Sequence, residues 1–273
     1  MTGGAARRAG AFLFLYILAK IVFMVSHKLF SGTGPTFSLL SDGARPWFML
    51  CMAMWGPVAH ATRRIDLMPL LSIWVVLALA VGYDSEAGNW LCLSRAIVFF
   101  PFYLVGFRMD PSKVYKFLSY KKWLLIGSIT LAVIAVGFTV FEGYLYPYKL
   151  LENACYPYSA VWADGCGAAE RFVWYILAAI AVAALVAVFV HVKSHYLAWF
   201  GRRSLAIYVF HLPFTLLFVK IGVVEMMQRL PFSGIAVLLL SICISLLSGL
   251  KPFCQFTFTF QRVFSGRASE SNA

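Results

Sequence analysis

Charge is scarce in this sequence. Asp, Glu, Lys and Arg make up 12% of its 273 residues, against ~25% in soluble domains. Hydrophobic residues make up 62%, more than a soluble core can hide, so a membrane protein is expected. The apolar runs recur along the whole chain, so one removable leader does not account for them. Other absences exclude more. The six cysteines form no CxxC pair, which leaves a zinc or redox centre without support, and no metal site is expected. There is no GxSxG, no Walker loop, no HExxH, and no GxGxxG followed by an acidic residue, so the common soluble catalytic motifs are missing. No internal repeat and no candidate soluble domain stands out. The net charge of +12 comes with no nucleic-acid motif. It reads as basic loops on the cytoplasmic side of a membrane, with no nucleic-acid partner.

What is present is a series of apolar segments, each near the ~20 residues that cross a bilayer. They lie at 9–26, 46–62, 68–83, 90–107, 122–141, 172–192, 204–224 and 233–250. With the N-terminus inside, the inner segments carry fifteen Lys and Arg and the outer ones six, while eight acidic residues fall outside and three inside. That asymmetry is the positive-inside pattern. The expected fold is an all-α polytopic bundle of about eight transmembrane helices, with both termini cytoplasmic. It forms one transmembrane domain over 1–260 and a polar tail over 261–273, in the plasma (inner) membrane.

The longest expected outer loop, 142–171, carries five tyrosines, Trp162, Glu152, Asp164 and Glu170. Aromatic faces with carboxylates suit a sugar. The same composition also describes an interfacial aromatic belt. On an oxidising face, Cys155 and Cys166 are close enough in sequence to form a disulfide, subject to geometry.

Inside the spans, polar groups are few. Arg95 lies near the outer end of the fourth span, in "LSRAIVFFPFYLVGF" with Pro101. An intramembrane arginine faces a wet cavity or snorkels to the interface. His211 lies in the seventh span, three residues after Tyr208 and two before Pro213. It reads as an acid–base group or as a polar tie between helices. The two residues approach from opposite faces and are assigned separate roles. Lys20, mid-way along the first span, reads as a snorkelling lysine.

Three blocks carry a family likeness: "RPWFML" at 45–50, "LSRAIVFFPFYLVGF" at 93–107, and "GRRSLAIYVFHLPF" at 201–214. On these, the chain resembles the integral-membrane O-acyltransferase family (acyltransferase type three), in its fucose 4-O-acetylase-like branch, over about 40–250. The resemblance implies transfer of an acyl group, usually acetyl, from cytoplasmic acyl-CoA to a hydroxyl of a lipid-linked or cell-envelope sugar. No bound cofactor is implied, only acetyl-CoA or another acyl-CoA as co-substrate. It implies catalytic roles for Arg95 and His211. It implies substrate contacts from Trp47, Ser94 and Tyr208, and donor contacts from Arg7 and Arg8; Trp162 is a candidate sugar contact on the composition of its loop. Relative to the family pattern, the first two helices are expected to be missing. They include the one bearing the usual histidine base, so an inactive remnant is part of the expectation. Two other classes fit the composition: a transporter or flippase of a lipid-linked sugar, and a non-catalytic membrane subunit.

Overall fold

A lipid environment offers the backbone no hydrogen-bond partners, so apolar segments must satisfy their own N–H and C=O groups as helix. The computed structural model describes residues 3–32, 46–87, 90–140, 157–161, 167–230 and 232–265, and among these the regular elements are all helical. The helices are α1 (Gly3–Phe30), α2 (Trp47–Ala61), α3 (Leu67–Ala80) with a 3-10 turn (Val81–Tyr83), α4 (Leu93–Arg108), α5 (Pro111–Leu118) and α6 (Lys121–Val140). They continue with α7 (Tyr158–Val161), α8 (Gly167–Phe189), α9 (His195–Lys220), α10 (Val223–Gln228), α11 (Ser233–Ser248) and α12 (Lys251–Ser265).

Each of the eight apolar segments contains a helix among the described residues. Three helices are long and apolar enough to cross a membrane: α1, α8 and α9. Two bent pairs raise the number to five if each pair is one span. α5 meets α6 at 89°, and α11 meets α12 at 56°. The chain is therefore a helical membrane protein with three to five such spans among the described residues. α2, α3 and α4 are apolar but shorter, at 15, 14 and 16 residues. The sequence reading is revised at three boundaries. α8 begins at Gly167, which brings Glu170 and Arg171 from the expected outer loop into the helix. α9 begins at His195, so Arg202 and Arg203 are helical. α12 continues to Ser265, past the start of the stretch read as a polar tail.

The chain divides into two compact units. The first combines Met1–Pro57 with His195–Ala273. Within it α1 packs on α9 and α12, and α9 packs on α11. Leu15, Tyr16, Ala19 and Phe23 form the buried stripe of α1. Lys220 donates from Nζ to the Leu29 carbonyl at 2.8 Å, tying the last turn of α9 to that of α1.

The second unit is Val58–Ser194. Its tightest pairs are α3 with α4 and α6 with α8. Gly127 of α6 sets the second approach: a Cβ there would stand 2.8 Å from the Ala184 carbonyl oxygen and 3.2 Å from the Ala187 Cβ. Small residues facing one another let membrane helices close on van der Waals contact. The four helices run alternately up and down, so their ends sort into two sets. At one end, Arg108 donates from Nη2 to the carbonyls of Thr62 (2.6 Å) and Ile65 (3.1 Å). At the same end, the His191 imidazole Nε2 lies 3.1 Å from the Ser119 carbonyl oxygen. This end carries Arg63, Arg64, Arg108, Lys113, Lys116, Lys121, Lys122 and Lys193, against Asp66 and Asp110. The opposite end carries Asp84, Glu86 and Glu170 with Arg95 and Arg171.

Candidate functional site

Polar residues on an apolar helix are informative when they share a face. On α9, Ser204, Tyr208, His211 and Thr215 follow one another at helical spacing, so they form one stripe. On α11, Ser241 and Ser245 do the same. The two stripes line a cleft of about 650 Å³ between α9 and α11, with Phe200, Gly201, Ile207 and Ile244 completing the walls. The cleft lies wholly within the first unit.

Its hydrogen bonds decide what it offers a ligand. Thr215 donates from Oγ1 to the His211 carbonyl at 2.8 Å. Ser241 donates to the Val237 carbonyl at 2.8 Å, and Ser245 to the Ser241 carbonyl at 2.8 Å. Each hydroxyl has spent its proton on its own helix, which leaves oxygen lone pairs toward the cleft. His211 Nδ1 lies 2.8 Å from the Tyr208 carbonyl oxygen and 3.1 Å from that of Ile207. Only a protonated Nδ1 is favourable beside two carbonyl oxygens, so the neutral imidazole holds its lone pair on Nε2. The cleft is thus rich in acceptors, a match for a ligand rich in O–H donors.

The expected site residues separate by unit. His211 and Tyr208 meet in the cleft, their ring centroids 6.0 Å apart. Trp47 reaches them indirectly: it contacts Phe48 edge-on at 6.0 Å, and Phe48 lies 5.9 Å from the Tyr208 ring. Arg7 and Arg8 are exposed on the first turns of α1. Arg95 and Ser94 belong to the second unit. Ser94 is buried on the first turn of α4, and Arg95 beside it is half-buried. The turn that feeds them holds two consecutive left-handed residues, Leu91 (φ 50°) and Cys92 (φ 54°). Non-glycine residues pay for that conformation, and such strain gathers at functional sites. Trp162, Cys155 and Cys166 lie outside the described residues, as does most of the 142–171 loop.

Two groups were not foreseen. The first is the hydroxyl lining, Ser204, Thr215, Ser241 and Ser245. The i, i+4 spacing of the serines on an apolar span was the available signal. The second is a cluster in the second unit around Arg171, which is 3% exposed. Arg171 donates from Nη1 to the Ala78 carbonyl at 2.8 Å, and its guanidinium carbon lies 4.5 Å from the Tyr158 ring centroid. Tyr158 donates to the Leu79 carbonyl at 2.8 Å, and Tyr175 to that of Val98. Burial pushes the Tyr158 phenol above its ordinary value, and the Arg171 charge partly opposes the rise. Tyr158 is therefore neutral and a donor at physiological pH. Its ring sits between Gly82 and Gly167, where a Cβ on either side would overlap it. The described residues hold no cluster of three His, Cys, Asp or Glu able to bind a metal.

Comparisons with protein-family models, with curated proteins and with solved structures return no match to this chain.

Proposed function

We propose that the chain serves O-acyl transfer in the plasma (inner) membrane, moving an acyl group, by default acetyl, from acyl-CoA to a sugar hydroxyl of a lipid-linked or envelope glycan. The observation that carries this reading is the pinned His211. Its Nδ1 lies against the Tyr208 and Ile207 carbonyls, which leaves Nε2 as the basic nitrogen of a residue that lines a cleft of about 650 Å³. That volume exceeds a single sugar ring and leaves room for part of a carrier. In the proposed step, Nε2 takes the proton of the acceptor hydroxyl as its oxygen attacks the thioester carbonyl. The carbon–sulfur bond then breaks, the CoA thiolate leaves, and the imidazolium returns the proton to it. Ser241, Ser245 and Thr215 accept hydrogen bonds from neighbouring sugar hydroxyls and hold the acceptor in register. Arg95, in the second unit, keeps a separate role, the binding of an anionic group, and takes no part in this step. The family likeness of the three sequence blocks supports the same chemistry.

The finer topology belongs to the same proposal: eight spans with both termini cytoplasmic. The presence of a helix in each of the eight segments supports it. So does the crowding of cations at one end of the second unit.

The test is direct. The full chain is placed in nanodiscs with radiolabelled acetyl-CoA and a lipid extract containing envelope glycolipids. Label in the glycolipid fraction that disappears in His211→Gln supports the reading. No label with wild type, together with loss of glycolipid export in cells carrying His211→Gln, favours a transporter of lipid-linked sugar instead.

A further inference from the structure

The basic end of the second unit has a shape as well as a charge. α5 is a short surface helix built to stop the chain and turn it. Asp110 caps its start, accepting from the Ser112 N–H at 2.9 Å, and Pro111 takes the first helical position. After Leu118 the chain turns through 89° into α6. With the apolar α6 across the bilayer, the 89° bend would lay α5 along the membrane surface. Val114 and Leu118 are half-buried, while Lys113, Lys116, Tyr115 and Phe117 are exposed. Tyr115, Phe117 and Tyr120 are 56%, 58% and 60% exposed, although large aromatic rings gain from burial. The Phe117 ring lies 4.9 Å from that of Trp123, and Lys122 Nζ lies 5.9 and 5.6 Å from the Tyr120 and Trp123 rings. Aromatic rings with lysine between them, on a helix parallel to the surface, match the glycerol and headgroup layer of a bilayer. Between Pro111 and Val140 there is no Asp or Glu, so the lysines have no acidic neighbour within their own segment.

We propose that this corner is a binding site for anionic phospholipid, with Lys113, Lys116, Lys121 and Lys122 on the phosphates and Tyr115, Phe117 and Tyr120 among the glycerol ester groups. Asp66 and Asp110 offset only part of the positive charge at this end, and the lipid phosphates supply the remaining counter-charge. The site would orient the second unit against one leaflet and rests on no assumption about the α9–α11 cleft.

The experiment uses the full chain in detergent micelles doped with equal phosphatidylglycerol and phosphatidylcholine, with bound lipid counted by native mass spectrometry. Wild type should retain the anionic lipid in at least ~5-fold excess at 20 mM salt, falling toward parity at 500 mM as charge is screened. The Lys113→Gln, Lys116→Gln, Lys121→Gln, Lys122→Gln variant should lose the excess, and the matching Lys→Arg variant should keep it. If the glutamine variant does not fold, the arginine variant and the salt series still decide. Equal retention of both lipids by wild type overturns the proposal. So does displacement of phosphatidylglycerol by 10 mM inorganic phosphate or free CoA, which would make this a site for a soluble phosphate group.

Discussion

Arg171 docks on the Ala78 carbonyl, and that carbonyl belongs to the last turn of α3. A helix ends in carbonyls with no partner of their own and carries about half a negative charge there. The buried cation therefore finds its compensation in a helix terminus and in the π face of Tyr158. Its Nε and Nη2 have no hydrogen-bond partner among the described residues. The Tyr158 hydroxyl takes the next carbonyl, Leu79. Two side chains from later in the chain thus supplement a helix end whose own cap is the Val81 backbone N–H on the Leu77 carbonyl.

Arg171→Ala should lower stability by about 1–3 kcal/mol, the cost of leaving a buried carbonyl without its donor. Arg171→Lys should recover part of this, since one ammonium can reach one carbonyl but cannot stack as a planar guanidinium does. Thermal unfolding followed by tryptophan emission, in one detergent for all variants, reads both.

Gly82→Ala and Gly167→Ala should each destabilise the protein by about 1–3 kcal/mol through overpacking against the Tyr158 ring. The same substitutions made in a Tyr158→Ala background should cost much less, because the ring they strike is gone. Equal costs in both backgrounds would remove the ring from the explanation.

The Tyr158 phenol titrates above its ordinary value because of burial. A raised folded value means that the contribution is complete below the unfolded value of about 10 and is lost as pH rises through the folded one. Wild type should therefore lose thermal stability more steeply above pH 10 than Tyr158→Phe. The phenylalanine variant should start lower by about 1 kcal/mol at neutral pH, for want of the Leu79 hydrogen bond.

In the acyl-transfer assay, His211→Gln should lower the rate by about 10²–10⁴-fold, the usual worth of a positioned base. Ser245→Ala should raise the apparent KM for the acceptor with a smaller effect on kcat. The pinned tautomer can be checked apart from activity. Nitrogen-15 spectra of labelled histidine should show His211 with a protonated Nδ1 and a bare Nε2.

Much of the helical layout was legible because hydropathy alone sets it. Each of the eight apolar segments contains a helix. What escaped was what depends on partners. A lone charge marks the end of an apolar run, so the sequence by itself puts Arg171 in a loop. Only the free end of α3, remote in sequence, makes the interior tolerable for it. The right-angle turn from α5 into α6 was hidden because eight residues are too few for a clear period. The cleft was half legible. His211 and Tyr208 share a face by spacing alone, whereas Ser241 and Ser245 acquire meaning only once α11 lies against α9.

The side-chain ties within the second unit have a common asymmetry. Arg108, Tyr158, Arg171 and Tyr175 each donate, and the acceptors are the main-chain oxygens of Thr62 and Ile65, of Leu79, of Ala78 and of Val98. A main-chain oxygen survives any substitution of its own side chain. Half of every tie is thus immune to mutation, and the other half is not. As the gene drifts, Ile65, Ala78, Leu79 and Val98 are free to exchange for other residues that keep the packing. The four donors have no such latitude, and the architecture concentrates its vulnerability in them.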